Sequence, residues 1–211
     1  MKRPRKPAKR SMKLFVEGAN TARADLRTDC REAFHDLFER AGIRAKPRVE
    51  PRGSRREAFD AFCAALQRGS YDQIWLLVDS EGPVSCEDPW EHVRQRQGDG
   101  WIKPDGAIDD HLHLMVEVME TWFLADPDML EGYFKQGFRR NALPKRSDIE
   151  NISKVDIDTA LRDATKDTKK GRYDKGKHSF DLLRQLDPEK LKRSSQWAFR
   201  LLQALDAIEV D

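Results

Sequence analysis

The sequence predicts an α/β protein: a mostly parallel sheet flanked by helices, followed by a helical C-terminal extension. Three observations carry that expectation. Strand-like and helix-like segments alternate through residues 12–79, the order that builds a parallel sheet with crossover helices. The run Ile74-Trp75-Leu76-Leu77-Val78 is apolar without interruption, as a strand covered on both faces requires. After Gly137 only helical spacings remain.

The elements follow in order. MKLFVE at residues 12–17 reads as the first strand, ended by Gly18. Residues 25–41 set Leu26, Cys30, Ala33, Phe34, Leu37 and Phe38 at helical spacing, and Gly42 supplies the stop. A second strand is expected within 43–51, interrupted by Pro47. The helix at 55–67 places Phe59, Phe62, Cys63 and Leu66 on one face and ends at Gly69. The third strand, 74–78, runs into Asp79. Residues 81–110 are loop-rich, with a short helix around 90–95. A strand is expected at 111–116, a helical turn at 117–125, and a further helix through Phe134 that Asp126-Pro127 would cap. The remaining helices are placed at 156–165, 176–186, 188–192 and 195–208. These boundaries divide the chain into a disordered basic tail (1–12), an α/β core (13–136) and a helical extension (137–211) packed on that core. The stripe Leu201, Leu202, Leu205 and Ile208 must be buried somewhere. The chain's own core is the first choice; a homodimer or docking to a partner are the alternatives.

Composition excludes several classes. The chain has 211 residues, 38% of them apolar, which is enough for a core. Its longest aliphatic or aromatic run falls far short of the ~20 residues that span a bilayer. The basic N-terminus lacks the apolar stretch of a secretory signal, so neither a membrane nor an exported protein is expected. Cys30, Cys63 and Cys86 are odd in number and show no CxxC spacing, which argues against a closed disulfide framework or a cysteine zinc site and fits a reducing cytoplasm.

The net charge of +2 hides a segregated distribution. Seven Lys/Arg and no acid lie in residues 1–13, leaving −5 on the rest. Residues 40–56 hold seven basic side chains against Glu50, among them Arg52, Arg55 and Arg56. Residues 162–177 hold seven against three acids, among them Lys169, Lys170 and Arg172. Such segregation suggests an anionic partner, nucleic acid first; solvated helix faces and a solubilising tail are the plain alternative.

In an open parallel sheet, functional groups collect at the carboxyl ends of the strands. Glu17 ends the first strand, Asp79 the third with Glu81 two residues on, and Glu117 and Glu120 follow the fourth. Carboxylates converging from separate strand ends make a hard-oxygen site suited to Mg²⁺ or Mn²⁺, although any one of them could simply cap a helix or stay solvated. Lys175, Lys177 and His178 lie where a cation could face a scissile phosphate; a lysine-rich surface turn is the other reading. His111 and His113 alternate along a strand with no third ligand nearby and read as structural. Trp75, Trp122 and Trp197 fit core positions.

Phe15-Val16-Glu17-Gly18 and Leu76-Leu77-Val78-Asp79-Ser80-Glu81 resemble the two signature motifs of the Toprim (Rossmann-like) fold, shared by topoisomerases, primases and the overcoming-lysogenization-defect (OLD) nucleases. From about Lys13 onward the chain also resembles the Toprim-like bacterial family catalogued as domain of unknown function 4276. That resemblance rests on Lys13 to Gly18, His113-Leu114-Met115-Val116, Met119 to Asp126 and Tyr173 to Phe180. The resemblance implies that Glu17 binds metal or moves a proton, that Asp79 is the first acid of an Asp-x-Asp pair, and that Glu120 is the acid on the following helix. Glu81 in place of the second Asp is a departure that lengthens the ligand by one methylene.

The function that follows is a Mg²⁺- or Mn²⁺-dependent nuclease. Glu17, Asp79, Glu81, Glu120 and Glu117 are the candidate ligands; Glu17, Asp79, Glu120, Lys175 and Lys177 are the candidate catalytic residues. The resemblance further implies a cytoplasmic effector of phage defence, partnered by an ATPase of the ABC/OLD type. The competing expectation is an inactive Toprim-fold subunit that binds nucleic acid or the ATPase. Topoisomerase and primase activities are disfavoured, because neither a separate tyrosine-bearing domain nor a zinc module is evident.

Overall fold

A computed structural model describes residues 11–18 and 24–208. Four strands, β1 (Met12–Glu17), β2 (Arg48–Arg52), β3 (Gln73–Asp79) and β4 (Leu112–Met115), form one sheet in the order β2-β1-β3-β4, every pair parallel. The register places Phe15 beside Leu76 and Leu77 beside His113. All four strands therefore point their carboxyl ends to the same edge.

Helices cover both faces, and the period-2 alternation of the strands sorts the side chains between them. Leu14, Val16, Trp75, Leu77 and Met115 face α1 (Ala24–Arg40) and the C-terminal helices. Phe15, Ile74, Leu76, Val78, Leu112 and Leu114 face α2 (Arg55–Arg68) and α3 (Pro89–Gln95). Helix α1 buries Cys30, Ala33, Phe34, Leu37 and Phe38, the stripe its spacing predicts. Helix α2 opens on a reciprocal capping box between Ser54 and Glu57 and closes at Gly69, left-handed at φ 58°. Asp126 caps α4 (Pro127–Phe134), with Pro127 in its first turn.

The C-terminal region is helical: α5 (Lys154–Thr165), α6 (Lys175–Gln185), α7 (Pro188–Ser194) and α8 (Gln196–Asp206). Helix α6 packs on α1, and α8 on β4. Leu201, Leu202 and Leu205 are buried in the same cluster as Leu14 and Leu77, so the extension completes one core. Gly137 (φ 90°) lies so close to the backbone that a Cβ would collide with the Asp167 carbonyl, which joins the start of the extension to the turn after α5.

Several expectations are corrected. The second strand starts only after Pro47 and contains Pro51, which is tolerated because β2 is an edge strand. The fourth strand is shorter than expected, with His111 in a preceding 3₁₀ turn. The helical turn at 117–125 is a 3₁₀ segment, Met119–Ala125. Trp197 is half-buried rather than fully core, with the Arg200 guanidinium 5.4 Å from its ring. His113, read as structural, is fully buried, and burial pushes its imidazole down to about 3. The expected disordered tail lies, apart from its last two residues, outside the described residues.

Candidate metal centre at the strand ends

The carboxyl edge brings the predicted acids together. One carboxylate oxygen each from Glu17, Asp79 and Glu81 lies within 4.8 Å of the others. Backbone pairing builds this frame. The Asp79 amide donates to Glu17 Oε2 at 3.2 Å, the Ser80 amide to the Met115 carbonyl at 2.8 Å, and the Glu81 amide to the Glu117 carbonyl at 2.9 Å. Glu81 takes a positive φ of 62°, a conformation uncommon outside glycine. The extra methylene of Glu81 does not take its carboxylate out of the group.

Glu120 approaches from the 3₁₀ segment after β4, and Lys175 joins it to the strand-end acids. The Lys175 ammonium, at the first turn of α6, lies 3.2 Å from Glu120 Oε2 and 3.8 Å from Asp79 Oδ2. The other Asp79 oxygen accepts the Met119 amide at 2.8 Å. Glu17 pairs with Arg55 at 3.4 Å, and Glu81 with Lys154 at 2.5 Å.

Burial and crowding decide the charges. Burial, reinforced by Glu17, Glu120 and Glu81 and opposed by Lys175, pushes Asp79 up to about 8. Burial also raises Glu17, against the pull of Arg55. Glu81 goes the other way: burial would raise it, but the Lys154 ammonium holds it below the ordinary carboxylate value. Burial would lower Lys175, yet Asp79 and Glu120 hold its proton more tightly than usual.

Other predicted residues are placed elsewhere. The Glu117 carboxylate accepts the Lys154 amide at 2.9 Å, so it caps α5 rather than joining the three-oxygen group. Lys177 donates to the Lys170 carbonyl at 3.1 Å, away from the carboxylates that Lys175 reaches. Arg55, expected as an open phosphate contact, is enclosed: it binds Glu17, the Asp79 carbonyl and Asp99, and its side chain is only 10% exposed. Its place is inside the centre, as the cation that orders Glu17. Arg52 pairs with Glu50 at 3.7 Å and Arg56 with Asp60 at 2.9 Å. Lys169, Lys170 and Arg172 are exposed on the turn before α6.

The sequence reading missed Asp99, Lys154 and the buried pair Tyr173 and Ser179, which reach the centre from the loop after α3, the start of α5, the turn before α6 and α6 itself. Tyr173 and Ser179 carried a partial signal, since they flank Lys175 in a segment of the resemblance. Asp99 and Lys154 carried none.

The donor set is made only of hard carboxylate oxygens, the chemistry that Mg²⁺ and Mn²⁺ prefer. A divalent cation would also offset the burial, and after it the neighbouring carboxylates, that push Asp79 up. The residues therefore fit such an ion, with Glu17, Asp79 and Glu81 as its holders and Glu120 beside them. A second group, His35, Asp36 and Glu39, sits on the α1 surface with two of its three members exposed, without comparable enclosure.

Fold and site together define an α/β protein with an acidic centre at the carboxyl edge of a four-stranded parallel sheet. The chain belongs to the family described as Domain of unknown function (DUF4276), whose model matches residues 16–206, sheet and helical extension alike. No curated protein and no solved structure matches it. No described helix is long and apolar enough to cross a membrane.

Proposed function

We propose that this protein hydrolyses phosphodiester bonds in nucleic acid with Mg²⁺ or Mn²⁺ as cofactor. The observation that carries the reading is the convergence of Glu17, Asp79 and Glu81 within 4.8 Å, flanked by a half-exposed lysine. Two side-by-side acids are common on protein surfaces; three from two adjacent strand ends, one of them fully enclosed, are not a solvated face. The resemblance of the Glu17-Gly18 and Asp79-Ser80-Glu81 segments to Toprim motifs supports the same chemistry. A cation held there would supply Lewis-acid activation and charge neutralisation at a phosphate.

The chain's own residues have separable tasks. Glu17, ordered by Arg55, and Asp79, ordered by the Met119 amide, present fixed oxygens. Lys175 keeps 52% of its side chain exposed, so its ammonium is available to charge that develops on a phosphoryl oxygen. The exposed Lys169, Lys170 and Arg172 lie just upstream of Lys175 and suit backbone phosphates. The basic tail would add further phosphate contacts. A role as the effector of a phage-defence pair with an ABC/OLD-type ATPase follows from the resemblance and belongs to the same proposal.

A second reading has an observation of its own. Every acid of the centre already has an internal cation: Arg55 for Glu17, Lys175 for Asp79 and Glu120, Lys154 for Glu81. A self-compensated cluster of this kind suits a non-catalytic subunit that retains the fold and binds nucleic acid or an ATPase. Labelled single- and double-stranded DNA and RNA, incubated with Mg²⁺ or Mn²⁺ with and without the candidate ATPase, separate the two. Cleavage by wild type and its loss in Glu17→Gln supports the nuclease. Metal-independent binding without turnover supports the subunit.

A further inference from the structure

Glu120 is held on both of its oxygens, and by two different kinds of group. Oε2 faces the Lys175 ammonium at 3.2 Å. Oε1 receives the Tyr173 hydroxyl at 3.1 Å and lies 3.5 Å from Ser179 Oγ, while Tyr173 Oη and Ser179 Oγ are 2.7 Å apart. Tyr173 is 2% exposed and Ser179 1%. The phenol donates its proton to Glu120, and the serine hydroxyl serves either the phenol oxygen or the carboxylate.

The phenol is itself firmly placed. The Tyr173 amide donates to Thr165 Oγ1 at 2.7 Å, and that hydroxyl donates to the Leu161 carbonyl at 2.7 Å. The ring meets Phe123 edge-on at 6.5 Å and His178 at 6.0 Å.

We propose that Tyr173, backed by Ser179, is a positioning residue for Glu120: it fixes one carboxylate oxygen so that the other is held toward Asp79 and Lys175. A neutral donor suits that task. It fixes geometry without cancelling the charge a divalent cation needs, whereas an arginine there would do both. Removing a partner that orients a carboxylate at a metal centre commonly costs about 10–100-fold in metal affinity. The inference rests on the reading of the strand-end acids as a metal centre.

Tyr173→Phe tests it, because phenylalanine keeps the buried ring and removes only the hydroxyl; Ser179→Ala provides a second, smaller perturbation. Melting temperature is followed during Mn²⁺ titration for wild type, Y173F, S179A, E120Q and the double variant E120Q/Y173F. Y173F should melt cooperatively without metal and need about tenfold or more Mn²⁺ for the same rise in melting temperature. S179A should raise that Mn²⁺ requirement by less. Y173F should add less than about twofold in the E120Q background, since its effect passes through Glu120. An unchanged Mn²⁺ requirement in Y173F beside a responsive wild type overturns the inference alone, and so does an equal increase in the E120Q background. A wild type that does not respond to Mn²⁺ at all overturns the metal reading and this inference together.

Discussion

Replacing Asp79 by Asn should make the metal-free protein more stable, increasingly so as pH rises. Asp79 ionises near 3.8 in the unfolded chain but is pushed up to about 8 in the fold. Between those values the folded state binds the extra proton, so this group lowers stability as pH rises through the window. The limiting slope is about 1.4 kcal/mol per pH unit, or about 4 kcal/mol between pH 5 and pH 8. Asparagine does not titrate, and its Oδ1 can still accept the Met119 amide that Asp79 accepts at 2.8 Å. Comparing the two proteins in EDTA at each pH largely cancels the other titrating groups. At about 2–4 °C per kcal/mol for a chain of this size, the gap in melting temperature should widen by about 10 °C from pH 5 to pH 8. Mn²⁺ should reverse the order, stabilising wild type more at pH 8 than at pH 6, because the Asp79 proton must leave first. A gap that stays flat across this range would falsify the account: Asp79 would then be ionised throughout, with Lys175 outweighing burial.

Lys175→Met removes the ammonium shared by Asp79 and Glu120. Cleavage should fall at least about 100-fold while Mn²⁺ stabilisation is retained or increased, since the lysine competes for the same oxygens; loss of the Mn²⁺ response would assign Lys175 a structural role instead. Deleting residues 1–10, which contain six Lys/Arg, should weaken nucleic-acid binding and flatten its dependence on salt without moving the melting temperature; unchanged affinity at low salt would reduce the tail to a solubility device. Leu205→Ala, at a fully buried position, should cost about 2–5 kcal/mol in denaturant titration. The pair Leu202→Glu plus Leu205→Glu should fail to fold, and a folded monomer from that pair would show that the stripe serves an interface.

Local patterning was enough to place most elements, because each carries its own signal. The apolar run Ile74–Val78, the spacing of Cys30, Phe34, Leu37 and Phe38, and the Asp126-Pro127 start are short-range features that tertiary packing had no reason to override. Glu17 and Asp79 were legible because each closes an apolar run, Glu17 directly before Gly18 and Asp79 directly before Ser80, and a parallel sheet sends those ends to one edge. Strand limits were less legible, because pairing rather than composition ends β4 at Met115 and starts β2 beyond Pro47. Which charges meet, by contrast, depends on the packing of the whole chain. Arg55 and Arg56 are adjacent in sequence, yet one is enclosed between Glu17 and Asp99 and the other faces Asp60 in solvent. Lys175 and Lys177 are two residues apart at the start of α6 and point to different partners, since successive helical positions differ by about 100°. Tyr173 meets Glu120 across 53 residues of chain. No local pattern encodes such a meeting, because it is set by how α5 and α6 pack on the 3₁₀ segment that carries Glu120, and burial, which gives each charge its strength, exists only once that packing is complete.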